Sequence, residues 1–343
     1  MKITKNGFII SILGVYLSII SFYTFALDDG LKVNIIDTGA GLASVISLPN
    51  DNYIIYDAGH WNSIGSTMAE IKEIIPQKGA IIENLILSHT DSDHIAATSE
   101  ILKFYDVKQV TRTGLERSSK TWERVDRDIK EYAKTGKLID YNLSITPLQI
   151  GASKIYGDAM VTLLSGFHVP PSDWDIDDES EYRNATSIVM RVTYKGKSIL
   201  FMGDAVGRHS KSNELDEIIA TEKFLVDNSD SLIIDSDVLI ASHHGANNGS
   251  SLPFIEAVSP EWVIFSAGSA HAHPREKTAK RFIDYGVPTS RILRTDLGDN
   301  ESDYKYGDLE WKRGRTANKD KANDDHISIV IDENKALTVN YNN

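Results

Sequence analysis

Six consecutive residues, His89-Thr90-Asp91-Ser92-Asp93-His94, hold four side chains able to bind a metal, and they follow directly on the apolar run 84–88. Aspartate and serine are ordinary turn residues. Two histidines at a fixed offset are not, so the run reads as a metal-binding loop at the end of a strand. Further along, a hairpin of 187–194 and 198–202 ends in Gly203-Asp204-Ala205, and a strand over 238–242 ends in His243-His244-Gly245. Three separate strands therefore terminate in residues with nitrogen or oxygen ligands.

A hydrolytic dinuclear site takes about six such ligands, one of them an anionic bridge, with positions left open for water. The expected arrangement places His89 and Asp91 on a first metal and Asp93, His94 and His243 on a second, with Asp204 as the bridge. A hydroxide shared by two cations is a nucleophile at neutral pH. Asp93 counts as both ligand and catalytic group. His244, and His273 in His273-Pro274, are the candidates to protonate a leaving oxygen. An aspartate at position 91 hardens the donor set, which favours manganese or magnesium beside zinc. Asp57 is a candidate outer carboxylate for orienting a ligand histidine, although Asp57-Ala58-Gly59 also reads as a plain turn. His168 is a candidate to complete the first metal's shell, but in a loop beside Pro170 and Pro171 it reads rather as a surface residue; Asn184 and Ser187 read as hairpin-entry residues, and His60 and His209 have no evident partner.

These loops need strands to carry them. Segments 31–36, 43–48, 53–56 and 84–88 read as strands, with an antiparallel hairpin across Pro49-Asn50-Asp51-Asn52. Apolar residues at helical spacing mark helices over 66–75, 95–104, 116–134, 252–258 and 275–285. Strands are expected at 107–111, 144–150, 154–156, 160–164, 262–266, 308–312 and within 326–341. Segment 170–182 reads as an acidic surface loop and 313–325 as the least ordered stretch. With 343 residues, 41% hydrophobic and 25% charged, the chain has ordinary globular composition, no internal repeat and no break that would split it.

Lys2 and Lys5 precede the apolar run 7–25, and Thr24-Phe25-Ala26 has small residues where a leader is cut. Residues 1–26 therefore read as a signal peptide, which makes the protein exported, to the periplasm or beyond, with no stable membrane association after cleavage. The alternative is an uncleaved anchor, since the run approaches the length of a spanning helix, but Tyr16, Ser18, Ser21, Tyr23 and Thr24 dilute it. Loss of Lys2 and Lys5 takes the net charge from −13 to −15. Such acidity argues against broad electrostatic binding to nucleic acid but leaves room for a local basic groove. No cysteine is present, so no disulfide framework exists and a metal site must be built from His, Asp and Glu.

Segments 33–39, 57–59, 88–94, 184–189, 201–205, 242–245 and 273–274, taken in order, resemble the metallo-β-lactamase superfamily. Within it they are similar to the ComEC-type hydrolase domain of competence-related DNA-uptake proteins and its free-standing relatives. The resemblance covers about residues 31–300 and implies an α/β fold, a four-layer αββα sandwich over 31–343 with two metals at one edge between the sheets. It also implies action on phosphodiesters, small or nucleic-acid. Ala96-Ala97 stands where a Gly pair is usual, and Leu42 where an acid is frequent. Competing readings are hydrolysis of an amide, ester or lactam by the same hydroxide, and a non-enzymatic metal-binding module. Fold alone does not name the substrate.

Overall fold

The computed structural model describes residues 30–49, 51–211, 218–268, 271, 273–297 and 324–342. The expected signal peptide and the expected strand at 308–312 lie outside the described residues.

Two mixed sheets organise the chain. The first contains β1 (Leu31–Ile35), β2 (Ala43–Ser47), β3 (Tyr53–Ala58), β4 (Ile81–Leu87), β5 (Asp106–Val107), β6 (Gln109–Arg112) and β7 (Ile139–Asn142), and β15 (Ile327–Ile331) and β16 (Leu337–Tyr341) close its far edge. The second contains β8 (Ser153–Tyr156), β9 (Ala159–Ser165), β10 (Val189–Tyr194), β11 (Lys197–Phe201), β12 (Val238–Ile240), β13 (Trp262–Phe265) and β14 (Ile292–Arg294). Antiparallel pairing at the start of each sheet gives way to parallel pairing, β3 with β4 and β11 through β14. In β15 the alternation Ile327, Ile329, Ile331 turns every second side chain inward, as a strand with one covered face requires. β4 is buried along most of its length, as a central parallel strand is.

A core between the sheets joins Val33, Ile46, Tyr56 and Ile86 to Met190, Val192, Phe201 and Ile240. A second core lies under α1 (Ile64–Ile74), α3 (Thr98–Phe104) and α4 (Lys120–Lys134), with Ile71, Ile101, Val125 and Ile129 against the outer face of the first sheet. The third holds Leu225 of α6 (Ala220–Asp227), Phe254 of α7 (Leu252–Val258) and Phe282 of α8 (Glu276–Tyr285) against the second sheet. The layers run helix, sheet, sheet, helix, the αββα order that the resemblance implies.

Local chemistry sets the boundaries. Ser119 caps α4 by accepting from the Trp122 amide at 3.1 Å, so that helix starts later than position 116. The acidic stretch expected to be all loop contains α5 (Glu179–Ala185), because Asp178 accepts from the Ser180 and Glu181 amides and caps it. The single helix expected over 95–104 is two, α2 (Ser92–Ile95) and α3. No strand forms over 144–150; the edge strand there is β7, and Asn142 turns the chain by accepting from the Ser144 amide and hydroxyl.

Candidate metal centre

The ends of β3, β4, β11 and β12 meet at one edge of the sandwich. Ser88 binds the second sheet by accepting from the Ile188 amide at 2.9 Å, and the Tyr56 hydroxyl donates to the Ile188 carbonyl at 2.7 Å. Gly203, at φ +54°, lies so close to Ser88 that an added Cβ would meet the Ser88 Cβ at 2.7 Å. Beyond it the His243 amide donates to the Gly203 carbonyl at 2.9 Å. Asp57, His243 and His244 all adopt positive φ, an uncommon conformation for residues with a Cβ, and all three lie at this edge.

Asp204 is the centre of the arrangement. Its Oδ1 lies 3.1 Å from His94 Nε2 and 3.5 Å from His244 Nε2, and its Oδ2 lies 3.7 Å from both His89 Nε2 and His243 Nε2. His94 Nε2 and His244 Nε2 are 3.1 Å apart, with Asp93 Oδ2 3.7 Å from the latter. His89, His94, His244 and Asp204 are buried, and Asp93 and His243 keep partial access to solvent.

The tautomers follow from the partners. His94 Nδ1 faces the Asp57 carboxylate at 2.7 Å, and a carboxylate only accepts, so the hydrogen sits on Nδ1. His244 Nδ1 likewise donates to the Ser266 carbonyl at 2.6 Å, and His243 Nδ1 to Asn248 Oδ1 at 2.7 Å. The Ser88 hydroxyl gives its proton to Asp57, which leaves its oxygen to accept from His89 Nδ1 at 3.0 Å. Four Nε2 atoms therefore turn toward the two oxygens of one carboxylate, a crowding of lone pairs that calls for positive charge, either a cation or a proton on a ring nitrogen. His89 Nε2 and Asp204 Oδ1 are buried without a hydrogen bond. This donor set of imidazole nitrogen and carboxylate oxygen fits a divalent metal.

Charge shifts agree. Burial opposes charge on His94, but the carboxylates of Asp204 and Asp57 outweigh it and hold the imidazole well above its ordinary pKa. Burial would raise the Asp204 carboxyl, yet His94, His244, His243 and His89 hold it well below the usual range. Asp93 is lowered too, against burial, by His244 and His94. His273 is pushed down to about 2 by burial and by His243 beside it, and stays neutral.

The structure distributes the expected residues differently from the sequence reading. Asp204, expected as the bridge, has Oδ1 toward His94 and His244 and Oδ2 toward His89 and His243. His244, expected to act on the leaving group, joins His94 and Asp93, where His243 was expected; His94 also forms a group with His89 and Asp204, and His243 reaches Asp204 Oδ2 at 3.7 Å, as His89 does. The left-handed turn at both residues sends their imidazoles to opposite oxygens. Asp91 enters neither group: its Oδ1 lies 2.7 Å from Arg183 Nε and 2.9 Å from an Arg117 terminal nitrogen. His273 packs edge-on to His243 at a centroid distance of 5.5 Å. His168 Nδ1 donates to the Thr113 carbonyl at 3.2 Å, and His209 pairs with Asp175 and Asp177 on the acidic stretch. Ser187 accepts from the Asp204 amide at 3.1 Å, and Asn184 lies 3.5 Å from His243.

Sequence reasoning missed Ser88, Ser266, Asn248, Arg117, Arg183 and Glu222. Glu222, on α6, is fully buried and binds the Ser250 and Ser251 amides and the Ser242 hydroxyl, which holds the histidine turn in place. No sequence signal marks it. Arg183 adjoins Asn184, within reach of a segment that carried the resemblance.

Residues 36–261 match the family described as "Metallo-beta-lactamase superfamily", and the chain belongs to that superfamily. It is a metal-dependent hydrolase by class. Competence protein ComA of Neisseria gonorrhoeae is 27% identical over 276 residues, 79% of this chain and 32% of that protein. ComE operon protein 3 of Bacillus subtilis is 24% identical over 292 residues, 80% of this chain and 33% of the relative. Recombination protein 2 of Haemophilus influenzae is 28% identical over 242 residues, 69% of this chain and 24% of that protein. The chain thus spans about a third or less of the length of these curated relatives. Among solved structures, the metallo-beta-lactamase fold protein YhfI from Bacillus subtilis aligns with a TM-score of 0.44 at 14% identity, over 77% of this chain and 95% of that one.

Proposed function

We propose that the protein is an exported phosphodiesterase or nuclease that holds two divalent cations, zinc or manganese with magnesium as a further candidate, on either side of Asp204. The observation that carries this reading is the convergence of four imidazole Nε2 atoms on the two oxygens of one carboxylate, with Asp93 beside them. His89 and His243 would hold one ion, and Asp93, His94 and His244 the other. When bound, such ions supply Lewis acidity and an activated water at neutral pH.

The chain's own groups do the rest. Asp57 fixes the His94 ring through Nδ1 and, through Ser88, the His89 ring as well. The Ser266 carbonyl fixes His244. His273, which burial holds neutral, packs edge-on to His243 and bounds the site there; in that form it has no imidazolium proton to give a leaving oxygen. The phosphodiester class is supported by the similarity to proteins named for competence and recombination. Export is supported by the lysines and apolar run ahead of residue 26.

The test is hydrolysis of bis-p-nitrophenyl phosphate, DNA and RNA by purified protein loaded with each metal in turn, beside Asp204→Ala. Cleavage that requires Asp204 is expected. Turnover of nitrocefin or a lactone, with no phosphodiester cleaved, would overturn the substrate class. Fractionation and N-terminal sequencing of the expressed protein check export and cleavage after Ala26.

A further inference from the structure

The Asp91 carboxylate stands two residues from His89 and two from Asp93, yet both of its contacts at Oδ1 are to arginines. Arg183 reaches it from the last turn of α5, one residue before Asn184, which touches His243. Arg117 reaches it from the loop between β6 and α4. Two guanidiniums on one carboxylate leave a surplus of one positive charge at the rim of the centre, in a chain whose net charge is −13. Arg183 spends only Nε on Asp91, and Arg117 only one terminal nitrogen. The remaining N–H groups of both have no protein partner among the described residues, and both side chains are partly open to solvent, 19% for Arg183 and 26% for Arg117.

A guanidinium edge held by a carboxylate at one nitrogen and open at the others is organised to receive an oxyanion, because its fork matches two oxygens and its charge is already placed. We propose that Arg117 and Arg183 are the anion-recognition pair of this site, gripping the non-bridging oxygens of the substrate phosphodiester, and that Asp91 is a positioning residue which holds both guanidiniums at the mouth. The assignment rests on the phosphodiester reading above, and it gives Asp91 a role other than the metal ligand expected from sequence. It also supplies the local basic patch that the acidic composition left room for.

The experiment measures binding as well as turnover. Diphenyl phosphate, a singly charged diester, is titrated calorimetrically into the metal-loaded protein, Arg117→Gln, Arg183→Gln and the conservative Arg183→Lys, with metal content measured on each. Each glutamine variant is expected to weaken diphenyl phosphate about ten- to a hundredfold, the weight of a hydrogen bond to a charged group. Metal content should be unchanged, and the salt dependence of binding should become shallower. With bis-p-nitrophenyl phosphate, KM should rise more than kcat falls, and Arg183→Lys should recover part of the loss. Affinity within twofold of the parent in both glutamine variants would overturn the pairing, as would loss of metal from either. Failure of the parent to cleave any phosphodiester overturns the catalytic reading alone, since the calorimetry still tests the arginines.

Discussion

Replacing Asp57 by asparagine tests the tautomer argument on which the metal centre rests. Asp57 accepts from the Ser88 amide at 2.7 Å, the Ser88 hydroxyl at 2.8 Å and His94 Nδ1 at 2.7 Å, and it is fully buried. Asparagine tolerates the left-handed backbone at this position as aspartate does, so the φ of +60° is not in itself a source of failure. Its single carbonyl oxygen can keep the Ser88 amide, which leaves an amide NH2 facing Ser88 Oγ and His94 Nδ1. His94 must then accept at Nδ1 and carry its hydrogen on Nε2, pointing at Asp204 and His244. One lone pair is lost from the centre, and the hydroxyl that orients His89 is turned around. Outer carboxylates of this kind typically account for 10- to 100-fold in metal affinity, about 1.4–2.7 kcal/mol. Asp57→Asn should therefore bind zinc or manganese about 10- to 100-fold more weakly in competition titrations with a chelator. Circular dichroism should show the parent secondary structure. Affinity within twofold of the parent would falsify the assigned tautomers.

Three further perturbations probe the frame. Glu222→Ala leaves the Ser250 and Ser251 amides and two hydroxyls without their acceptor inside the protein; a loss of about 3 kcal/mol or more is expected in urea unfolding, because each stranded buried donor costs about 1–3 kcal/mol. Gly203→Ala places a Cβ 2.7 Å from Ser88 Cβ at a positive φ, and a lower Tm, by about 1–3 kcal/mol in stability, is the expected result; an unchanged Tm would mean the sheets are not held this close. His326 accepts from the Asp37 amide at Nδ1, and burial lowers its pKa against the pull of Asp324 and Glu73. Below about pH 6.5 the unfolded chain therefore takes up a proton that the folded chain refuses, so stability falls as pH drops through that region and is flat above it. His326→Gln, whose amide can accept and donate in the same places, should lose less stability between pH 7.5 and 5 than the parent; parallel pH profiles would refute this.

Several features were legible in the sequence because they depend on local rules. The ligand types sit at strand ends, and strands announce themselves by apolar runs bounded by turn residues, as β4 before His89 and β12 before His243 do. Resemblance in ordered segments added the sandwich, and the superfamily match and the two observed sheets agree with it. The acidic stretch misled because charge marks solvent exposure and does not forbid a helix, and Asp178 needed only two amides to start one.

What the sequence by itself determined is the inventory: a centre of histidine and aspartate without cysteine, delivered by loops that follow strands. What only the tertiary structure decided is which oxygen each imidazole meets. Adjacent His243 and His244 are equivalent in a one-dimensional reading. Successive left-handed residues fan their rings apart, and Ser266 and Asn248, from distant and near positions in the chain, fix the two tautomers. Asp91 has the chemistry of a ligand in the sequence, yet its carboxylate is drawn to two arginines contributed by loop and helix 26 and 92 residues away. Side-chain charge in a folded protein goes to the partners that packing brings near, and spacing along the chain carries no record of them.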